Sequence, residues 1–368
     1  MRHTNSIIIP TFAGLLLAVK AMGVPTSVGG DTFTLVATNS GATQLYSLAA
    51  DDAGVVYAGN NSYAFTVTPD IPVQRFRPAS FAGSAVQFET IGPVCSDCDG
   101  LAFGAGYLYA ADCFAGTRKI SVTNGSASIF STLTTSFCGS PLAFRASDGH
   151  LFSNVGCQTN KIREFDSAGN IVANHTTTNG VQTMAFDPAS GIIYYANYPS
   201  GDVRAYDPIS RADSFLATID GSIDGGLAVD RLSNRLFVGT ANGANQGRVY
   251  TIDLTTHAVS LFASGFDGSL GILREQISGD LYFLEAHNLY RLQSTNVVFS
   301  PKLFIWPAVE LGWLSDTNQR YQVQWATELD TNTWTNFEPA MQGNGTTNFL
   351  FDTTRDSLRR FYRVVVTN

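Results

Sequence analysis

The chain of 368 residues carries 22 basic and 30 acidic residues, which gives a formal net charge of −8, and only 14% of its residues are charged. Its hydrophobic share of 44% is enough for a packed core and excludes an intrinsically disordered chain. An acidic balance without a basic run makes nucleic acid and anionic membrane surfaces poor partners. Glycine (34), phenylalanine (25) and tyrosine (14) are plentiful, a composition typical of all-β extracellular proteins.

The first element that the sequence predicts is an export signal. Arg2 and His3 precede an apolar stretch over residues 7–19, and the small residue Ala21 follows. This order is typical of a signal peptide, here residues 1–23. The 13 apolar residues are too few for a helix that spans a bilayer of about 30 Å. We therefore expect a chain that is secreted or held in the cell envelope, with no membrane span after processing.

A repeated motif follows, in which an aliphatic residue precedes Ala or Gly and a further apolar residue. Between residues 101 and 272 it recurs at intervals of 41 to 43 residues. Its central residues are Ala102, Ala143, Ala185, Ala228 and Gly271, with an earlier and weaker copy at Ala49. Each copy leads into further strands that alternate polar and apolar residues. Four strands in a unit of about 40–45 residues are the pattern of a β-propeller blade.

The two ends of the repeat region predict how the ring closes. The last unit stops after a third strand at residues 288–292, and a lone strand at residues 31–37 precedes the first unit. Their pairing would supply the missing fourth strand and remove exposed edges. We therefore predict an all-β, six-bladed β-propeller over residues 31–295, whose N-terminal strand closes the last blade. We expect the extra length of the first unit to form a loop around residues 68–84, and the small residue of each motif to face the central channel.

The composition changes at the end of the chain, where residues 296–368 hold all four tryptophans. Strand-like runs separated by Asp, Asn and Gly turns predict a small antiparallel β-sandwich there. Residues 321–325, 333–335 and 359–364 resemble a small C-terminal β-domain common on secreted bacterial proteins, which implies an accessory role. Its aromatic residues either form the core of this domain or, if exposed on one face, a carbohydrate-binding surface.

The cysteines cluster in one region of the predicted propeller. All five lie within a window of 63 residues: Cys95, Cys98, Cys113, Cys138 and Cys157. In an exported chain this clustering indicates local disulfides. From the blade geometry we expect Cys138–Cys157 and a bridge from Cys98 (or Cys95) to Cys113, with one thiol left over. The Cys95-x-x-Cys98 spacing also occurs in zinc and redox motifs, but the scatter of the other three cysteines argues against zinc.

Two kinds of loop in a propeller open on the same side, which we name the loop face. They are the approach loops, which precede each inner strand, and the 2–3 loops, which join the second and third strands of a blade. The candidate metal ligands there are Asp99, Asp112, Asp224, Asp267 and Glu285. Ca²⁺ is bound by such oxygen donors. The candidate ligand-binding residues are Asn60, Asn197 and Thr240. The alternative is that all these residues only cap turns and strand ends.

The repeats carry a family resemblance. Residues 99–103 (Asp-Gly-Leu-Ala-Phe) and 224–230 (Asp-Gly-Gly-Leu-Ala-Val-Asp) resemble those of six-bladed propellers in the NHL and SMP-30/gluconolactonase/strictosidine-synthase-like group. In lactonases of that group, an Asn or Asp before Gly-Leu binds a divalent metal and an early Glu completes the site. Here Asp99 stands in place of the Asn, and residues 31–50 contain no Gly-Glu-Gly-Pro-like start.

Other catalytic patterns are missing from the sequence. The five histidines, His3, His150, His175, His257 and His287, share no metal-ligand spacing. The chain has no nucleophile elbow, phosphate loop or dinucleotide fingerprint. We therefore expect a non-catalytic protein that binds an extracellular protein, glycan or small molecule at the loop face. The alternative is a lactone hydrolase that depends on Ca²⁺ or another divalent metal.

Overall fold

The protein is described by a computed structural model, which covers residues 24–61, 70–133, 141–156, 159–198, 200–220, 223, 226–240, 245–267, 270–293, 308–329, 333–337, 339–353 and 360–367. These residues form strands and turns, together with the short 3-10 helix Pro78–Ser80. None of the helical structure within these ranges is long and apolar enough to cross a membrane. Contacts between Cα atoms divide the chain into two compact units, Met1–Val297 and Val298–Asn368. The predicted export signal lies outside the described residues.

Within its described residues, the first unit contains six antiparallel sheets that follow one another along the chain. We number them as blades 1 to 6. From the inner to the outer strand they comprise Gln44–Ala50, Val56–Asn61, Ile71–Phe76 and Glu89–Cys95 (blade 1); Gly100–Gly104, Tyr107–Asp112, Gly116–Ser121 and Ala127–Ser131 (blade 2); Leu142–Arg145, His150–Asn154, Lys161–Phe165 and Ile171–Thr176 (blade 3); Thr183–Phe186, Ile193–Ala196, Asp202–Tyr206 and Asp213–Thr218 (blade 4); Leu227–Asp230, Arg235–Gly239, Val249–Asp253 and Val259–Ser264 (blade 5); Leu270–Arg274, Leu281–Glu285, Asn288–Leu292 and Phe33–Thr38 (blade 6).

The inner strands close these sheets into a ring. Each inner strand contacts that of the next blade, and the inner strand of blade 6 contacts that of blade 1. The N-terminal strand Phe33–Thr38 pairs antiparallel with Asn288–Leu292, with Phe33 opposite Leu292. This pairing supplies the outer strand of blade 6 from the start of the propeller. The predicted six-bladed propeller and its mode of closure are therefore confirmed.

Two short strands extend the outer edges of blades 5 and 6. Thr26–Ser27 pairs with the outer strand of blade 5, and Val86–Gln87 pairs in parallel with the end of the closing strand. The sequence analysis predicted neither. It also placed a loop around residues 68–84, which is wrong where Ile71–Phe76 forms the third strand of blade 1. That strand contains a proline and two consecutive polar residues, so it lacks the alternation of its counterparts.

Neighbouring blades are joined by hydrophobic clusters, which we name seams, one between each successive pair around the ring. The small residues of the repeat belong to these seams, as Ala102 and Ala228 show. At Gly271, a Cβ atom would lie 2.6 Å from the carbonyl oxygen of Tyr46 in blade 1. The expectation that these residues face the central channel is wrong. They are small because the backbones of neighbouring inner strands approach closely.

The described residues of the second unit form two antiparallel sheets. Its strands are Ala308–Leu314, Arg320–Ala326, Thr335–Asn336, Met341–Gln342, Thr347–Thr353 and Phe361–Thr367. The first pairs with Thr347–Thr353, and the second pairs with the remaining three. The rings of Trp313 and Tyr321 lie 6.3 Å apart across the two sheets. The guanidinium groups of Arg360 and Arg363 cover Trp325 and Trp334, at 4.4 and 4.3 Å from the ring centroids.

Candidate functional site

Every blade places a polar residue at the end of its second strand, where the chain reaches the loop face. These residues are Asn60, Asp112, Asn154, Asn197, Thr240 and Glu285. The sequence analysis named five of them and missed Asn154, whose amide donates to the carbonyl of Val181 at 3.1 Å. Because Val181 precedes the inner strand of blade 4, this hydrogen bond joins blade 3 to the approach loop of the next blade.

Asp112 holds the loops of blade 2 together. Its Oδ1 atom accepts hydrogen bonds from the backbone N–H groups of Phe114 and Ala115, at 3.0 and 2.9 Å. Its Oδ2 atom is ion-paired with Arg118 at 2.9 Å and accepts from Ser96 N at 3.4 Å. The side chain is only 2% exposed. The carboxylate that was a candidate metal ligand therefore fixes the 2–3 loop and ties it to the approach loop.

Glu285 plays the same part in blade 6. It is brought together with Asp267, another predicted ligand, whose backbone N–H donates to Glu285 Oε2 at 2.5 Å. Burial raises the pKa of Glu285, and the hydrogen bonds from Asp267, Tyr290 and Asn288 only partly oppose it. Asp267 itself is exposed. An acid with a raised pKa beside an exposed acid is an arrangement that a general acid could use.

The predicted amide and hydroxyl ligands also engage the loop backbone. The side-chain amide of Asn60 donates to the carbonyl of Cys95 at 2.9 Å, and that of Asn197 donates to the carbonyl of Gly180 at 2.9 Å. The hydroxyl of Thr240 donates to a carbonyl within its own 2–3 loop, at 3.1 Å. Because buried backbone carbonyls need donors, these side chains stabilise the approach and 2–3 loops.

A further candidate metal ligand, Asp99, stands in the approach loop of blade 2. Asp99 is buried at 7% exposure, and its backbone N–H donates to the carbonyl of Asp97 at 2.9 Å. Asp97 adopts a positive φ of 51°, which an aspartate tolerates better than most residues. Asp224 lies outside the described residues. The calcium site itself stays a prediction, because the described contacts bring only Asp267 and Glu285 together.

The cysteines pair differently from the expectation. Cys95 and Cys98 form a disulfide, with Cα atoms 5.9 Å apart, so the predicted Cys98–Cys113 bridge is wrong. Blade geometry had suggested partners on separate loops, but the tight turn at Ser96 and Asp97 brings Cys98 within bonding distance of Cys95. Cys113 lies in the 2–3 loop of blade 2 and is buried. The predicted Cys138–Cys157 bridge lies outside the described residues.

The loop face also presents an exposed aromatic side chain. Phe114 follows Cys113 in the 2–3 loop of blade 2 and is 66% exposed. The equivalent loop of blade 4 carries Tyr198, which is half-buried. Asp112 fixes the backbone on which Phe114 is mounted, because it accepts the hydrogen bond of the Phe114 N–H. A large apolar ring on a rigid loop is typical of a residue that anchors a partner.

A second polar group lies in blade 3, on the side opposite the loop face, which we name the turn face. Arg145 ends the inner strand, Asp148 lies in the turn and His150 begins the second strand. Glu164 in the third strand receives hydrogen bonds from His150 Nδ1 and from His175 Nε2, both at 2.7 Å. Burial raises the pKa of Glu164, but these bonds and the charge of Arg145 outweigh it and hold the pKa below its ordinary value.

Asp148, His150 and Glu164 are the one group of three or more metal-ligating side chains among the described residues. The guanidinium of Arg145 lies at their centre. Its Nη2 atom is 2.6 Å from Asp148 Oδ2, 2.5 Å from Glu164 Oε1 and 3.1 Å from His150 Nδ1. The group therefore already encloses a cation. Its chemistry is that of an ion-pair network, which continues from His175 Nδ1 to the hydroxyl of Tyr206 in blade 4 at 3.1 Å.

The sequence analysis missed this network because it searched the histidines by spacing. A signal was present in the third strand of blade 3, where Glu164 shares a face with the buried Ile162. The register pairs Glu164 with Phe152, and the equivalent residue of blade 4, paired with Tyr194, is Ala205. An acid on the same strand face as a buried aliphatic residue predicts a buried cationic partner.

No family model and no curated protein matches the chain. Among solved structures, a chain in the crystal structure of a nidogen/laminin complex is similar, at a TM-score of 0.49 and 14% sequence identity. The match covers 63% of this chain and 84% of that one. The strand pairing defines the class of protein: a six-bladed β-propeller with a second, small β unit.

Proposed function

We propose that this protein is an exported, non-catalytic binding protein that recognises an extracellular protein, glycan or small molecule at the loop face of its propeller. The observation that supports the proposal most is that both carboxylate oxygens of Asp112 are engaged within the protein. They accept hydrogen bonds from loop backbone N–H groups and form an ion pair with Arg118, and the loop that they fix exposes Phe114. The polar residues of this face build a rigid support, and an apolar ring projects from it.

The exposed area and the fixed backbone favour recognition for an energetic reason. A preorganised loop loses little conformational freedom on binding, so more of the contact energy appears as affinity. Phe114 offers a large apolar surface whose burial by a partner is favourable. The second unit would assist attachment or display, as its resemblance to domains on secreted proteins implies.

The binding proposal is tested with two single variants of the full chain. Phe114→Ser removes the exposed ring of the loop face, while Leu232→Ser removes a side chain of 75% exposure from an inner-to-second-strand turn on the turn face. Binding is measured by affinity electrophoresis on defined polysaccharides and by biolayer interferometry on purified extracellular proteins. We expect at least one probe to be bound, and its affinity to fall about tenfold or more in Phe114→Ser alone. Equal binding by both variants, or no bound probe, contradicts the proposal.

A second candidate is a divalent-metal-dependent lactonase of the SMP-30-like type. The raised pKa of Glu285 beside Asp267 favours it, since a general acid or base needs such a shift. The assay is hydrolysis of a panel of lactones with Ca²⁺, Zn²⁺ or chelator, in wild type and Glu285→Gln. The binding proposal expects rates equal to buffer throughout. Metal-dependent turnover that Glu285→Gln abolishes would establish the enzyme instead.

The proposed export has its own test. If residues 1–23 are a signal peptide, the chain recovered outside the producing cell starts near Val24. Intact-mass analysis of that chain measures the start directly. Recovery of the uncleaved chain from inside the cell alone would contradict export, and it would leave the binding assay unaffected.

A further inference from the structure

Arg163 in blade 3 is a half-buried cation without an acid partner among the described residues. It lies in the third strand, on the face that meets blade 2, because it shares that face with Phe165 of the seam between these blades. Its Nε and Nη1 atoms are buried, and they donate to no acceptor within the described part of the chain. Burial lowers the pKa of Arg163, and no neighbouring acid opposes that effect. The folded protein therefore keeps a desolvated charge that it does not neutralise.

The equivalent arginine of blade 4 has an acid partner. Arg204, like Arg163, is the third residue of the third strand of its blade. Its Nε atom lies 2.8 Å from Oδ1 of Asp213, the first residue of the outer strand, which pairs with the fifth residue of the third strand. In blade 3 the residue at this place is Ile171, which begins the outer strand and pairs with Phe165. An apolar side chain thus stands where blade 4 has the acid.

Ile171 lines an open cavity of about 630 Å³ at the outer edge of the ring. The cavity lies between the outer strand of blade 2 and the turn that precedes the outer strand of blade 3, and Ile129 and Ile171 in its wall are 49% and 42% exposed. The Arg163 side chain extends along its strand toward this wall, because its Cζ atom lies 5.9 Å from the centroid of the Phe165 ring. That ring in turn lies 6.0 Å from the ring of Phe130, which also lines the cavity.

We propose that this cavity binds a small organic acid, whose carboxylate takes the place beside Arg163 that Asp213 fills beside Arg204. Charge complementarity favours a carboxylate, because a guanidinium group binds it by charge-assisted hydrogen bonds. The exposed side chains of Ile129 and Ile171 favour an apolar body next to that carboxylate. The volume of the cavity is within the range of small-molecule sites, roughly 300–1,000 Å³. Because the site lies between two blades at the outer edge of the ring, this inference goes beyond the function proposed for the loop face.

The lack of an internal partner is tested first, without a ligand. Arg163→Met removes the charge and keeps an apolar stem, and Arg204→Met is the matched control in blade 4. We expect the thermal midpoint by circular dichroism to stay equal or rise in Arg163→Met, because a desolvated charge is lost. It should fall by about 2 °C or more in Arg204→Met, because Asp213 loses its ion pair. Equal falls in both variants would show that Arg163 is paired within the protein and would overturn the proposal.

Binding is measured by isothermal titration calorimetry of the full chain. The probes are octanoate and phenylacetate, with 1-octanol and 2-phenylethanol as the matching uncharged alcohols. We expect at least one carboxylate to bind, and its alcohol to bind about tenfold more weakly or less. Arg163→Gln should weaken the carboxylate by about tenfold or more. Failure of both carboxylates to bind, or equal affinity for a carboxylate and its alcohol, overturns the proposal.

Two single substitutions in the outer strand of blade 3 test the position of the site. Ile171→Asp gives blade 3 the acid that blade 4 has, so it should pair with Arg163 and weaken carboxylate binding by about tenfold or more. Val172→Asp adds the same charge at the next residue, which is 50% exposed and does not line the cavity, and should change the affinity less than about twofold. Circular dichroism verifies that both variants are folded. Wild-type affinity in Ile171→Asp, or equal losses in the two variants, overturns the site.

This site and the loop face are read separately. Phe114→Ser should bind the carboxylate as the wild type does, and Ile171→Asp should keep the affinity for any probe that the loop face binds. If no loop-face probe binds, the proposed function fails, and the carboxylate titrations still decide the cavity. Loss of carboxylate binding in Phe114→Ser would place the ligand at the loop face and overturn the inference.

Discussion

The seam between blades 3 and 4 and the seam between blades 5 and 6 join equivalent sheets by different chemistry. In the latter, Phe283 lies 5.2 Å from the ring of Phe33 and 5.5 Å from that of Phe266. In the former, an apolar cluster is accompanied by the chain of hydrogen bonds from Glu164 through His175 to Tyr206. The packing of neighbouring blades requires that the space between them is filled and that buried polar groups are hydrogen-bonded. The two seams show that apolar rings alone, or an apolar cluster with a fully paired polar network, both meet these requirements.

The largest expected effect on stability is at the seam between blades 5 and 6. Phe283→Ala removes a fully buried ring from contacts with blade 5 and the closing strand, and we expect a loss of about 4 kcal/mol of unfolding free energy. Urea unfolding followed by far-UV circular dichroism measures it. Phe215→Ala, at 49% exposure on an outer strand, is the control and should change stability by about 0.5 kcal/mol or less. A loss in Phe283→Ala no greater than in the control would contradict the description of this seam.

The stability of the protein should be nearly as sensitive to substitution in the seam between blades 3 and 4. Glu164→Ala leaves Arg145 without its most buried carboxylate and removes the acceptor of two histidines, and we expect a loss of about 3 kcal/mol at pH 7. The same urea titration measures it. Because all four tryptophans lie beyond residue 296, tryptophan fluorescence follows the second unit alone and should be unchanged. A shift of the tryptophan transition would show that the substitution acts beyond the seam.

The two seams should respond differently to acid. The pKa of Glu164 is lowered in the folded protein, so its contribution is fully present above the pKa of the unfolded chain, about 4.3. It is lost as the pH falls through the lower folded value. The stability difference between wild type and Glu164→Gln should therefore shrink between pH 5 and pH 3, while the Phe283→Ala difference stays constant. Parallel declines for both variants would contradict the assignment.

The smallest effect on stability should be at Tyr206, where the chain of hydrogen bonds from Glu164 through His175 ends. Tyr206→Phe removes the hydroxyl that lies 3.1 Å from His175 Nδ1 and keeps the ring, and we expect a loss of about 1 kcal/mol. The thermal midpoint by circular dichroism measures it. Tyr290→Phe, which removes a hydroxyl interacting with Glu285 in blade 6, is a matched control whose effect should not depend on Glu164. Addition of Tyr206→Phe to Glu164→Ala should cost less than Tyr206→Phe alone, since both act on His175.

The sequence was sufficient for the architecture for a physical reason. The seams require a small residue at the same point of every inner strand, so the motif around Ala102 or Ala228 recurs at nearly fixed spacing. Closure was predictable because a lone strand at residues 31–37 and a missing strand after residue 292 complement each other. The third strand of blade 1 was not predictable, because Ile71–Phe76 contains a proline and two polar residues and lacks the alternation of its counterparts.

The site was less predictable than the fold. Local positions such as Asp112 and Glu285 were located correctly on the loop face, but whether a carboxylate binds a ligand or a backbone N–H depends on loop conformation. The Glu164 network joins residues of all four strands of one blade to Tyr206 in another, so no sequence spacing marks it. The Cys95–Cys98 pairing depends on a positive φ at Asp97, which residue type alone does not fix.

The closing strand imposes an order on synthesis. Phe33–Thr38 cannot find its place beside Asn288–Leu292 until some 250 further residues have left the ribosome, and for an exported chain until they have crossed the membrane. Val86–Gln87, only about fifty residues downstream, pairs with the other edge of the same strand and becomes available much earlier. Blade 1 can thus hold the closing strand in register until Asn288–Leu292 is available, and it can shield the closing strand from pairing with another nascent chain.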